Sequence, residues 1–96
     1  MLKVTATGRA KVASPEFAKE LKTIASACEN AKATEEDCFQ MLVGRVAIAL
    51  CQRDGQSGLR LTREEDGELM NFAFENRKEI ETIIRKCLER ADGASL

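Results

Sequence analysis

Between Cys38 and Cys51 only three residues are not apolar: Gln40, Gly44 and Arg45. A run of this length and uniformity does not alternate as a half-buried strand does. It reads as a helix that is apolar nearly all round and must be covered on most of its circumference. The rest of the chain has to supply that cover. Thr34-Glu35-Glu36-Asp37 approximates a capping box in front of the run, with Asp in the place of Glu or Gln. Phe39, Leu42, Val43, Val46, Ala49 and Leu50 share one face, while Met41, Ile48 and Cys51 cover much of the remainder. Gly44, an interior glycine, predicts a close helix–helix approach, and Asp54-Gly55 predicts the end of the helix.

Two further helical segments are legible. Ser14 is a good N-cap, Pro15 suits the first helical position, and Glu16 complements the helix dipole. Phe17, Leu21, Ile24, Cys28 and Ala31 follow at spacings of 4, 3, 4 and 3, one apolar stripe that predicts a helix ending near Lys32. Thr62-Arg63-Glu64-Glu65 is a full capping box. Beyond it, Leu69, Ala73, Asn76, Ile80, Ile83 and Cys87 keep a 4-3-4-3-4 seam. That seam favours one continuous or kinked helix over 63–91, with Asn76 as its polar member; Asn76-Arg77-Lys78-Glu79 also resembles a capping start, and a separate fourth helix from there is the alternative. Residues 54–61 read as a polar loop, residues 92–96 as a fraying tail and residues 1–13 as a flexible basic arm.

The fold class expected is all-α: a single helical domain over 14–96, built from three or four helices, with a long C-terminal helix. Aromatic residues are 4% of the 96 positions, so the core is aliphatic and rich in alanine. A chain of this size buries about 60–70% of its unfolded surface, a marginal amount. A dimeric bundle extends that core.

Most chemistry is excluded by composition. The chain has no His, which removes the commonest general base and the commonest metal ligand. The acid clusters Glu35-Glu36-Asp37 and Glu64-Glu65-Asp66 sit in first helical turns, where the dipole alone favours them. Cys28, Cys38, Cys51 and Cys87 contain no C-x-x-C pair. They read as reduced, inert thiols on apolar helical faces, with a thiol-based sensor as the lesser reading. No Gly-rich phosphate loop or nucleophile elbow occurs. The expectation is a non-enzyme without cofactor or metal. Residues 1–14 lack the apolar stretch of a secretory signal, and no segment suits a membrane span, so the expected location is cytoplasmic.

Two binding readings remain. Met41, Leu59, Met70, Phe72 and Phe74 are more apolar side chains than the amphipathic faces can hide. Phe72 and Phe74 are about 200° apart at 3.6 residues per turn, so they cannot both face one core. These five residues are the candidate partner-binding set. They point to a regulatory or adaptor protein of the inhibitor or anti-activator type, which binds a larger protein stoichiometrically and also pairs with itself. The alternative is a DNA-binding transcription regulator that uses Lys3, Arg9 and Lys11 of the arm and Lys78, Arg85 and Lys86 of the last helix. The net charge of −1, and five acids against one base over 63–76, weigh against nucleic acid.

Overall fold

The computed structural model describes residue 4 and residues 6–51 and 62–94. The described residues form five helices: α1 (Ala6–Val12), α2 (Pro15–Asn30), α3 (Glu35–Leu50), α4 (Arg63–Glu75) and α5 (Arg77–Ala94). The protein is all-helical, with no strand among these residues. No described helix is long and apolar enough to cross a membrane. The polar loop expected over 54–61 lies outside the described residues.

α3 is the central helix. It touches each of the other four, as its nearly unbroken apolar circumference requires. Leu42, Val46, Ala47, Ala49 and Leu50 are buried along it. α2 contributes Phe17, Ala18, Leu21 and Cys28 to the same core. α5 contributes Ile80, Ile84, Cys87 and Ala91. Leu21, Val46 and Ile80 have no exposed surface at all. No polar or charged side chain among the described residues is buried, so the core is purely apolar.

The helix starts follow local chemistry. The Ser14 hydroxyl accepts from the Phe17 N–H at 3.2 Å, and the Thr34 hydroxyl accepts from the Asp37 N–H at 3.1 Å. Thr62 and Glu65 form the reciprocal capping box. α2 ends two residues before the expected Lys32. Lys32 adopts φ 55°, in the left-handed region. Its N–H bonds to the Glu29 carbonyl, and the Ala33 N–H bonds to the Cys28 carbonyl. This is the Schellman arrangement, built here without the usual glycine.

Three expectations are corrected. First, residues 6–12 are not a flexible arm but helix α1, which packs on α3 and brings the described helices to five instead of three or four. Gly8 allows this. A Cβ at that position collides with the Ala49 carbonyl oxygen and comes within 2.7 Å of the Leu50 carbonyl oxygen. The far end of α1 is tied to α5: the Cys87 thiol donates to the Val12 carbonyl at 3.4 Å, and the Arg90 guanidinium donates to the Ala13 carbonyl. Second, the close approach belongs to Gly8 and not to Gly44, where a Cβ meets nothing within 4 Å. Third, the segment 63–91 is two helices. Asn76 has φ −105° and ψ 19°. Its side-chain amide donates to the Phe72 carbonyl at 2.9 Å, and its backbone N–H donates to the same oxygen. The side-chain bond supports the non-helical Asn76 backbone at the junction of the two helices. α5 then continues through residue 94, beyond the expected end at 91.

Candidate protein-binding face

α4 is held to α3 by Leu69, which is buried, and by Phe72 and Ala73, which pack against the core from its edge. Once those positions face inward, the residues between them must face outward. Met70 and Phe74 lie four apart on α4 and so share one side of it. Met70 is 69% exposed and Phe74 79% exposed. The two Phe rings divide as the angular argument requires: Phe72 joins the core margin and Phe74 does not.

The outward side chains border a groove of about 410 Å³ between α3 and α4. Phe39 and Val43 form the α3 wall, and Met70, Ala73 and Phe74 form the α4 wall. Gly44 lies in the groove with no side chain, which leaves its floor open. Gln40 and Arg77 supply polar margins. The Arg77 guanidinium pairs with Glu81 at 3.2 Å, so its charge is partly compensated. The arrangement is apolar with a polar rim and holds no paired acid and base in reacting geometry.

Of the five candidate residues, the structure brings Met70 and Phe74 together and sets Phe72 behind them. Met41 is 58% exposed but lies apart from the groove, with its sulfur 3.8 Å from the Cys28 sulfur at the α2–α3 end. Leu59 lies outside the described residues. Phe39 and Val43, read from sequence as core, are half-buried groove walls. The all-round apolarity of α3 was the signal that more than one of its faces is used.

The basic candidates are divided. Lys3 lies outside the described residues, and Lys11 is exposed on α1. Arg9 meets Lys86 and Arg90 around a second cavity of about 300 Å³, floored by Leu50 and Ile83 and carrying one acid, Glu79. Lys78 and Arg85 are exposed on α5 away from that cavity.

No protein-family model, no curated protein and no solved structure matches the chain.

Proposed function

We propose that this chain is a small non-enzymatic adaptor or regulator of the inhibitor or anti-activator type, which binds a larger protein stoichiometrically through the α3–α4 groove. The observation that carries the reading is the exposure of Phe74 and Met70, side by side, on the lip of an apolar groove. A phenyl ring and a thioether held in water gain stability by burial, about 1.5–3 kcal/mol for each fully covered side chain. Methionine adapts to irregular partner surfaces, and an aromatic ring anchors them. The same face suits a second copy of the chain, so self-pairing and partner binding compete for it.

The test replaces residues that the fold does not need. Tagged native chain and the variants Phe74→Ala and Met70→Glu are incubated with nuclease-treated lysate, and bound proteins are quantified. The expected result is a protein partner retained by native chain and lost from both variants, with circular dichroism unchanged. Affinity for that partner falls by more than ~1 kcal/mol for Phe74→Ala, the mark of an interface anchor. Equal retention by all three chains rejects the groove as the binding face.

A second reading rests on the meeting of Arg9 of α1 with Lys86 and Arg90 of the last helix. It supports the alternative of a DNA-binding transcription regulator. Affinity for duplex DNA then falls steeply with salt as counterions are released, whereas apolar docking changes little.

A further inference from the structure

Three sulfur atoms converge where α2 hands over to α3. Cys28 lies in the last turn of α2, and Cys38 and Met41 lie three apart in the first turns of α3. The Schellman turn at Lys32 folds the second helix back beside the first and brings these turns together. The Cys28 thiol donates to the Met41 sulfur at 3.8 Å, and it lies near enough to Cys38 to help raise that thiol's pKa. Cys28 is buried at the base, Cys38 is half-buried, and Met41 opens to solvent at 58% exposure.

The spacing has a specific meaning. With metal–sulfur bonds of about 2.3 Å, sulfurs around a trigonal centre stand about 4.0 Å apart, and around a tetrahedral one about 3.8 Å apart. The Cys28–Met41 edge, at 3.8 Å, falls in that window. We propose that Cys28, Cys38 and Met41 form a binding site for a soft monovalent cation, Cu(I). Two thiolates and a thioether are soft donors, the set that selects Cu(I) over harder ions. Zn²⁺ draws its ligands from thiolate, imidazole and carboxylate, and a thioether such as Met41 is not among them. Binding balances as Cu⁺ plus two thiols giving a bis-thiolate complex of charge −1, with two protons released to solvent and the thioether as neutral third donor. No electron is transferred.

The other two cysteines provide an internal control. Cys51 is buried at the end of α3, and the Cys87 thiol is committed to the Val12 carbonyl. The test titrates the full-length chain, reduced and under argon, into a coloured Cu(I)–bicinchoninate complex. The expected result is withdrawal of one Cu(I) per chain, with sulfur-to-copper absorption in the near ultraviolet and Cu–S distances near ~2.3 Å by X-ray absorption. Cys38→Ser, at a half-exposed position, weakens withdrawal by at least the ~10–100-fold typical of losing a supporting group. Met41→Leu weakens it while leaving the fold intact, and the double variant Cys51→Ala/Cys87→Ala withdraws copper as the native chain does. Failure to withdraw copper overturns the proposal, as does unchanged withdrawal by Cys38→Ser, dependence on Cys51 or Cys87, or displacement of Cu(I) by equimolar Zn²⁺.

Discussion

Lys32 and Gly8 are two residues whose backbone does what their neighbours cannot. Lys32 holds a left-handed conformation at φ 55°, where a Cβ costs about 1–2 kcal/mol. Lys32→Gly removes that cost and retains both turn hydrogen bonds; part of the gain is lost to the greater freedom of unfolded glycine. Denaturant unfolding is expected to show about 0.5–1 kcal/mol more stability. Gly8→Ala is the opposite case. Its new methyl meets the backbone carbonyls of Ala49 and Leu50, which cannot turn aside as a side chain can. The expected loss is about 1–3 kcal/mol, read by the same unfolding experiment. The thiols make a third prediction. Burial raises the pKa of Cys51 and, against a smaller lowering by Arg90, that of Cys87. Cys38 is raised by burial, then by its hydrogen bond and proximity to Cys28, and by the Glu29 carboxylate. A folded pKa above the unfolded value means that the native state keeps its protons longer. This contribution to stability is complete below the unfolded thiol value of 9.0 and is lost as pH rises through the folded values. Unfolding free energy should therefore fall as pH rises above about 9, where the unfolded thiols ionise and the folded ones do not. The fall should be shallower in Cys51→Ala/Cys87→Ala.

Among the helices, α3 carries the most, because every other helix leans on it. Its partner from the C-terminal end is α5, whose Ile80 is fully buried and Ile84 2% exposed. Ile80→Ala is expected to cost about 2–5 kcal/mol by thermal or denaturant unfolding, since a purely apolar core cannot fill the cavity with a bound polar group. Gly44 makes a sharper prediction. It lies inside α3 and faces open space. Gly44→Ala should stabilise the fold by about 0.5–1 kcal/mol, the helix-propensity difference. The same methyl enters the α3–α4 groove and should weaken partner binding. A variant that is more stable and binds less well separates the two roles of α3; a variant that binds equally well removes Gly44 from the site. α4 is the least committed helix, with Leu69 its one buried residue, so its outward face is free to present Met70 and Phe74.

As a whole the described chain has a radius of gyration of 13.3 Å, against about 13 Å for a compact domain of 100 residues. It achieves this with Met41, Met70 and Phe74 left in water. Self-pairing through the groove is expected to give about twice the chain mass by light scattering at micromolar concentration. Phe74→Glu should return it to the single-chain mass, because a carboxylate buried in an apolar interface is unpaired. A single-chain mass for the native protein at high concentration leaves the groove to a different protein and rules out the homodimer. High salt should change neither outcome much, since burial of apolar surface is not screened.

Local rules determined a large part of this protein. Caps at Ser14, Thr34 and Thr62 set where three helices start, because their hydroxyls satisfy backbone donors a few residues away. Apolar spacing decided which faces of α2 and α5 go inward, and uniform apolarity placed α3 at the centre. The 200° between Phe72 and Phe74 already required that one ring be left out; which one was decided only when Leu69 and Ala73 docked on α3. Tertiary structure also decided α1. Its seven residues are too few to hold a helix alone, and its order comes from Gly8 resting on α3 and from donors 75 and 77 positions away on α5. The break at Asn76 escaped the heptad spacing because an Asn side chain can either sit in a seam or take a backbone carbonyl, and packing on both sides selects between them. The sulfur cluster was illegible for the same reason. Cys28 and Met41 are 13 positions apart on different helices, and only the turn at Lys32 brings their sulfurs within 3.8 Å.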